Sequence, residues 1–304
     1  MHELVLTGLD GANPLGFLAA LGTLRTLAIA CPNPIPRMSW RSDGGWRPVL
    51  HCGCPDKDAL IAELHKLLTH ANKALSVADD PGMPPETFRS KAREFRARDI
   101  DASHMLAALA SDAVTMTNSK KEVVCQDTAF RTMSGAGHQH LLKFARNICT
   151  ACTPNHLRHA LFEMWRYNDP AQNHTLRWDP VDDVRYALRW RDPSGDPART
   201  SRGAVYGANR LALEALPLFP CVPRANALRT AGFVEDRRSG VWLRWPIWVP
   251  PLSLDAVRSL LTLPEVLSND ADADVLRARG VIERFESRRV TVGKFRCFWL
   301  GRPV

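Results

Sequence analysis

The sequence lacks any apolar run long enough to cross a membrane. Its longest apolar stretch, Pro14 to Cys31, falls short of the roughly 20 residues that a membrane helix needs, and Arg25 interrupts it. The residues before this stretch include Glu3 and Asp10 and no Lys or Arg, which argues against the basic start of a signal peptide. We therefore expect a soluble, cytoplasmic protein with no membrane partner.

Familiar catalytic motifs are also missing. The sequence has no phosphate-binding lysine loop, no His-Glu-x-x-His, no nucleophile elbow and no dinucleotide fingerprint. These absences argue against an enzyme. We expect the chain to carry no catalytic residue, no resident metal and no cofactor.

What the sequence does contain is an excess of positive charge in a chain of ordinary globular composition. Hydrophobic residues make up 45% and charged residues 24% of the 304 positions, which excludes wholesale disorder and a fibrous architecture. Lys and Arg number 40 against 32 Asp and Glu, a net charge of +8. Such a charge favours a polyanionic partner. Ordinary surface charge explains the excess equally well, so the distribution of the basic residues must distinguish between these two explanations.

The hydrophobic pattern predicts an α+β fold. We expect a mixed helical and strand N-terminal lobe over residues 1–170 and a more β-rich, basic C-terminal lobe over residues 171–304. At the start, Asn13 is expected to cap a helix that begins at Pro14, and small residues in this helix predict close packing against a sheet. The other main elements expected are a hairpin around residues 42–45, helices over 57–75, 86–98, 102–114 and 207–216, and strands over 175–178, 184–190, 241–245, 282–288 and 295–300.

Eight cysteines are scattered through a chain too large to need disulfides, and we expect them to be reduced. One pattern pairs Cys52 and Cys54 with Cys149 and Cys152, and these four residues can in principle meet as a zinc site. Buried free cysteines that behave as small hydrophobic residues are the commoner explanation.

The best acidic cluster is Asp179, Asp182 and Asp183, which resembles the carboxylate set that nucleases use to hold a divalent ion. Pro180 lies within it, so an ordinary turn explains the spacing more simply. A metal-dependent nuclease is therefore the alternative to a binding protein.

The basic residues fall into four clusters, and the first follows one predicted helix. Arg89, Arg93 and Arg96 form a stripe beside Phe88 and Phe95, which must face the core. An arginine row on an anchored helix suits a phosphate backbone. A solvated helix face is an equally good explanation.

The second cluster surrounds a glycine-containing loop, residues 134–137. Arg131, His138, His140, Lys143 and Arg146 surround this loop, where main-chain amides at a helix start can receive a phosphate or a base edge. A flexible surface loop would give the same pattern.

The third cluster is an extended loop and the helix start that follows it. Long loops inside compact domains are usually functional or disordered. Asn and Arg at the helix start can act as bidentate readers of adenine or guanine, and capping with a surface ion pair is the alternative. The candidate residues of this cluster are Arg199, Thr200, Arg202, Asn209 and Arg210.

The fourth cluster gives the C-terminus the densest positive charge. Strand alternation predicts Lys294, Arg296 and Phe298 on one face and Phe295, Cys297 and Trp299 on the other. Basic residues beside an exposed aromatic side chain suit single-stranded nucleic acid, and a charged edge strand that resists aggregation is the alternative. The basic residues of the cluster are Arg277, Arg279, Arg284, Arg288, Arg289, Lys294 and Arg296.

Three stretches carry a family resemblance. They are Leu6 to Gly22 (LTGLDGANPLGFLAALG), residues 176–180 with 185–190 (LRWDP and RYALRW), and residues 207–212 with 214–220 (GANRLA and EALPLFP). The chain resembles the short large-subunit-like proteins of type I-G (formerly I-U) CRISPR loci, sometimes described as an extension of the effector helicase-nuclease. It departs from typical large subunits in being shorter and in lacking an obvious C-terminal helical bundle.

The resemblance implies a non-catalytic subunit of a crRNA-guided Cascade surveillance complex. Such a subunit contacts the crRNA 5′ handle and the PAM of target double-stranded DNA, binds other Cascade subunits and recruits the helicase-nuclease. A protein-only adaptor for the helicase-nuclease is a further alternative. The expected nucleic-acid contacts are Asn13, Arg89, Arg93, Arg96, Arg131, His138, His140, Lys143, Arg199, Thr200, Arg202, Asn209 and Arg210.

Overall fold

The computed structural model describes residues 1–133, 139–182, 203–236, 240–292 and 295–304. Helices are mixed with small sheets in these ranges, which confirms the predicted α+β class. The strands are β1 (His2–Val5), β2 (Arg37–Ser42), β3 (Trp46–Cys52), β4 (Ala110–Thr117), β5 (Val123–Asp127), β6 (Asp169–Pro170), β7 (Gly203–Ala204), β8 (Cys221–Arg224), β9 (Ala227–Thr230), β10 (Phe233–Asp236), β11 (Gly240–Trp248), β12 (Leu252–Ser253), β13 (Val281–Val292), β14 (Phe295–Phe298) and β15 (Arg302–Pro303). The helices are α1 (Pro14–Ala30), α2 (Lys57–Leu67), α3 (Pro85–Arg98), α4 (Ile100–Leu109), α5 (Leu141–Ala151), α6 (Pro154–Phe162), α7 (Tyr206–Ala215), α8 (Leu254–Leu261), α9 (Pro264–Leu267) and α10 (Ala273–Ala278).

The first sheet has the order β1-β3-β2-β12, and its pairs are antiparallel. The hairpin between β2 and β3 is the one predicted from the sequence. Gly44 and Gly45 both have positive φ at its turn, a backbone conformation that glycine adopts without the steric cost other residues meet. The C-terminal segment returns to this sheet, because β12 pairs with β2.

The second sheet has the order β10-β11-β13-β14, and β15 pairs with another part of β13. The long strand β13 is its centre. It pairs with β11 on one side and with β14 on the other, antiparallel in both cases. Side chains from β11 and β13 therefore alternate between a core-facing side and an outer side.

Helix α1 is the centre of the fold, and it packs on both a helix and a sheet. The predicted cap is confirmed: Asn13 accepts hydrogen bonds from the amides of Leu15 and Gly16, and Pro14 is the first helical residue. Gly22 meets α7 so closely that an added Cβ would overlap the Leu211 carbonyl. The small residues predicted to pack against a sheet thus include one that packs against a helix.

The aromatic side of α1 does face the sheets. The Phe17 ring stacks with Trp40 and Trp245 at centroid distances of 5.8 and 5.6 Å, and it meets Trp248 edge-on at 6.5 Å. These three tryptophans come from β2 and β11. One aromatic cluster therefore joins the two sheets and the central helix.

The packing of the described residues continues across the lobe boundary expected near residue 170. Helix α7 lies against α1, β12 extends the N-terminal sheet, and the buried hydrophobic residues of both halves belong to one core cluster. Among the described helices, none is long and apolar enough to span a bilayer.

Three predicted elements differ from the structure. The helix expected over 102–114 ends at Leu109, because β4 begins at Ala110 and pairs with β5. The helix expected over 57–75 ends at Leu67. The strand expected over 175–178 is an irregular segment in which Arg177 has a φ of 57°. The strand expected over 184–190 lies outside the described residues.

Candidate nucleic-acid interface

Asn13 holds two parts of the protein together. Its Oδ1 atom accepts from the Leu15 amide at 2.8 Å and from the Gly16 amide at 3.3 Å, while its Nδ2 atom donates to Asp179 Oδ1 at 3.4 Å. Both ends of the amide are bonded to protein groups. These bonds give Asn13 a structural role, and the nucleic-acid contact predicted for Asn13 stays a prediction.

Asp179 receives three hydrogen bonds in a buried position. Besides Asn13, the Tyr167 hydroxyl donates to Oδ2 at 3.2 Å and the Val181 amide donates to Oδ1 at 3.0 Å. Burial raises the pKa of Asp179 to about 7, and the charge of Asp182 adds to this rise, while the three hydrogen bonds oppose it. Asp179 therefore titrates near neutral pH inside the fold.

The described members of the predicted acidic cluster, Asp179 and Asp182, are buried and hydrogen-bonded to the protein itself. Asp182 is buried and accepts from the Thr175 hydroxyl at 2.8 Å. Asp183, the third member of the alternative nuclease site, lies outside the described residues. In the part of the chain that the structure describes, no group of three or more His, Cys, Asp or Glu side chains is arranged to hold a metal ion.

The two cysteine pairs lie in different surroundings, and the alternative of a shared zinc site is wrong. Burial raises the pKa of Cys54 to about 12, with Cys52 next to it. Burial likewise raises the pKa of Cys152 to about 12, and its neighbours include Arg210 and Cys149. Each pair has one buried and one half-buried member, as expected for cysteines that act as small hydrophobic residues.

Asn209 and Arg210 are interior residues, which corrects the prediction that they read bases. Asn209 Oδ1 accepts from the Leu176 amide at 3.1 Å, and its Nδ2 donates to the Val205 carbonyl at 3.0 Å. Arg210 pairs with Glu214 at 2.6 Å. Side chains that are 2% and 1% exposed cannot reach a nucleic acid.

Glu214 balances two buried arginines, an arrangement that sequence reasoning missed. Its Oε1 atom pairs with Arg210, and its Oε2 atom lies 3.4 Å from Arg25 Nη1. Arg25 also pairs with Asp101, which accepts a hydrogen bond from Asn72 at 2.8 Å. Two features of the sequence point to this buried arrangement: Arg25 lies inside an apolar stretch, and Glu214 follows Arg210 by four residues.

Of the described residues around the glycine loop, Arg131 and His140 are bonded to carboxylates and Lys143 is not. Arg131 pairs with Asp127 at 2.5 Å and lies 3.4 Å from Asp80, and His140 Nδ1 lies 2.6 Å from the same Asp80 carboxylate. Lys143 is exposed and has no ion pair with a described residue. Residues 134–138, which include His138, lie outside the described residues.

The arginine stripe on α3 is exposed as predicted, and Phe88 and Phe95 are buried beneath it. Arg89 pairs with Asp112 at 2.7 Å. Arg93 and Arg96 form no ion pair within the described ranges. The predicted contacts at Arg199, Thr200 and Arg202 fall in the range 183–202, which lies outside the described residues.

The hairpin of β13 and β14 brings two arginines together on one side of the sheet. Arg289 and Arg296 lie on the core-facing side of the sheet, where Arg289 is opposite Phe298 and Arg296 is opposite Thr291. Arg289 Nη1 donates to the Ala129 carbonyl at 2.7 Å. The pKa of Arg289 is lowered to about 10. Burial is the main cause and the positive charge of Arg296 adds to it, while the negative charge of Asp127 opposes both effects.

This hairpin faces the segment that carries Arg131. Burial raises the pKa of Asp127, and the charges of Arg131 and Arg289 act against that rise. Arg131 and Arg289 therefore act on Asp127, Arg296 acts on Arg289, and Asp80 supplies the second negative charge. The group keeps a positive charge with which an anion can interact.

Only part of this arrangement could be expected from the fourth basic cluster. Phe298 was predicted to be exposed beside Arg296, but it is fully buried and packs against Phe130 and Phe233 at centroid distances of 6.3 and 6.1 Å. Arg296, by contrast, is half-buried.

Comparisons with protein-family models, with curated proteins and with solved structures found no match to this chain.

Proposed function

We propose that this chain is a non-catalytic nucleic-acid-binding protein that receives a backbone phosphate between Arg289 and Arg296. The observation that carries the proposal is the closeness of these two like charges on the core-facing side of the β13–β14 hairpin. A carboxylate next to each arginine would be expected if the pair had only a structural purpose. Arg296 forms no ion pair with a described residue.

A bound phosphate would relieve the repulsion between the two guanidinium groups. The pKa of Arg289, lowered to about 10, leaves the side chain charged at neutral pH. A phosphate oxygen near both arginines would gain two charge-assisted hydrogen bonds, each contributing about 1.5–3 kcal/mol. The partly buried location weakens screening by salt and strengthens both bonds.

The family resemblance extends the proposal to a larger complex. We propose that the chain is a subunit of a cytoplasmic, crRNA-guided Cascade complex of type I-G, with crRNA, target double-stranded DNA, other Cascade subunits and the helicase-nuclease as partners. The described parts of the stretches that carry the resemblance contact one another in the fold. Asn13 bonds to Asp179, Leu176 bonds to Asn209, and α1 packs against α7.

The first experiment measures binding of the purified chain to fluorescein-labelled single-stranded DNA, duplex DNA and RNA of equal length. Arg296→Ala is compared with Arg277→Ala, which removes the same charge from an exposed arginine paired with Asp274 on α10. We expect Arg296→Ala to weaken binding about tenfold, since one phosphate contact is lost. Equal affinities of the two variants would contradict the proposal.

The nuclease alternative is tested with the same nucleic acids. The wild-type chain is incubated with labelled DNA in magnesium or manganese, and we expect no cleavage. Cleavage that is lost in Asp179→Asn would replace the binding proposal with the metal-dependent nuclease. If the chain binds a helicase-nuclease but none of the nucleic acids, the protein-only adaptor is favoured instead.

A further inference from the structure

Arg288 lies between two tryptophans in a row that crosses the outer side of the second sheet. Trp242 on β11 is directly opposite Arg288 on β13, and the Trp299 amide donates to the Arg288 carbonyl at 3.0 Å on the other side of β13. The guanidinium carbon lies 5.9 Å from the Trp242 ring centroid and 5.6 Å from the Trp299 ring centroid. Both distances are within the range of cation–π attraction.

The other arginines on this side of the sheet are already bound. Arg244 and Arg302 pair with the two different carboxylate oxygens of Glu286. Arg284 donates to the main-chain carbonyls of Glu265, Val266 and Ser268. They therefore hold the sheet, its last strand and the α9 segment together.

Arg288 differs from them in its polar contacts. Glu286 is fully used by its two arginine partners, and within the described residues the Arg288 guanidinium has no hydrogen bond and no ion pair. Its position is nevertheless fixed by the two indole rings. A guanidinium held beside aromatic rings keeps its N–H donors directed outward in one plane.

Such a group suits a partner with two acceptors in one plane. Two oxygens of one phosphate fit this description, and so do the O6 and N7 atoms of guanine. We propose that Arg288 makes a bidentate contact with a pair of in-plane acceptors on the bound nucleic acid. This inference rests on the proposed function, and it assigns to the outer side of the sheet a contact separate from the Arg289 and Arg296 pair.

The test uses a substitution that keeps the charge and removes the planar fork. R288K is compared with R302K, a matched change on the same side of the sheet at an arginine that already pairs with Glu286 and lies 4.6 Å from the Trp242 centroid. We expect R288K to weaken binding about tenfold, because one bidentate contact is lost. We expect R302K to change the affinity less than twofold.

Two oligonucleotides of equal length distinguish the source of the acceptors. One contains only thymine, and the other contains guanine at every third position. An equal loss on both for R288K identifies a phosphate, and a loss confined to the second identifies a guanine edge. Wild-type affinity of R288K for both oligonucleotides overturns the inference.

A second measurement does not depend on affinity. In the wild-type protein, the Arg288 Nε–Hε signal is identified as the one absent from the R288K spectrum, and it is followed while the oligonucleotide is added. We expect a clear shift of this signal, and an unmoved signal overturns the inference. Should R288K melt below the assay temperature, R288Q takes its place and R302Q becomes the matched control, since both remove one charge from the same side of the sheet, and the expectations are the same.

The failure of this inference is separable from the failure of the proposed function. If the wild-type chain binds nucleic acid and Arg296→Ala weakens that binding while R288K does not, only the bidentate contact is wrong. If the wild-type chain binds none of the nucleic acids, both are wrong.

Discussion

Asn13 and Asp179 are 166 positions apart in the sequence, and their side chains are joined by a hydrogen bond of 3.4 Å. This bond attaches the segment around residues 175–182 to the N-terminus of the central helix. The same segment bonds to Asn209 of α7 through the Leu176 amide. The described parts of the three stretches that carry the family resemblance are thus connected by hydrogen bonds, and the stability of this connection can be tested apart from binding.

The first prediction concerns pH. Burial raises the pKa of Asp179 from 3.8 to about 7, so between these values the folded protein keeps a proton that the unfolded chain has released. The free energy of unfolding therefore falls as the pH rises through this window, by up to about 1.4 kcal/mol per pH unit from this group.

Asp179→Asn removes this titration while keeping a side chain of the same shape. Between pH 5 and pH 8, we expect the free energy of unfolding of the variant to rise relative to that of wild type by on the order of 2 kcal/mol. Urea unfolding of both proteins at the two pH values measures the difference. Parallel stabilities across this range would contradict the burial of an ionisable Asp179.

A second prediction concerns the contact between α1 and α7. Gly22→Ala would place a Cβ on the Leu211 carbonyl, so the two helices must move apart. We expect a loss of about 1–3 kcal/mol, although alanine is the better helix former by about 1 kcal/mol. Thermal unfolding checks this, and a variant more stable than wild type would contradict the close approach.

A third prediction concerns Glu214, which lies between two buried arginines. Glu214→Gln leaves Arg210 without its negative partner, and we expect a loss of about 3–5 kcal/mol. Glu265→Gln serves as the control, because it breaks a pair with Arg279 on the surface and should cost less than about 1 kcal/mol. Similar losses of the free energy of unfolding in the two variants would contradict a larger contribution of the buried ion pair to stability.

A fourth prediction separates the members of the α3 stripe. Arg89 is paired with Asp112, whereas Arg93 and Arg96 are exposed without an ion pair to a described residue. We expect the double substitution of Arg93 and Arg96 with alanine to weaken nucleic-acid binding more than the single substitution Arg89→Ala, because the free arginines are available to phosphates. Filter binding with one duplex measures all three proteins, and a larger effect at Arg89 would contradict this ranking.

Features with a local cause were predictable from the sequence. The Asn13 cap, the Pro14 helix start and the Gly44 turn each depend on the conformational preference of a few neighbouring residues. The buried side of α3 followed from the spacing of Phe88 and Phe95. In each case the deciding interactions lie within one or two turns of the chain.

Features decided by distant partners were not predictable. The segment around Leu176 is not a strand, because its main chain bonds to the Asn209 side chain and accepts from the Thr132 hydroxyl. Asn209 and Arg210 were predicted to be exposed and to contact bases, because the sequence does not show that folding pairs them with Leu176 and Glu214. Arg289 likewise finds the Ala129 carbonyl from 160 positions away.

The most direct test of the central claim is the salt dependence of nucleic-acid binding by wild type, Arg296→Ala and Arg277→Ala. Each phosphate contact adds close to one unit to the slope of log affinity against log salt concentration. We predict that Arg296→Ala lowers the slope by about one while Arg277→Ala leaves it unchanged. Three parallel lines would contradict a phosphate contact at the Arg289 and Arg296 pair.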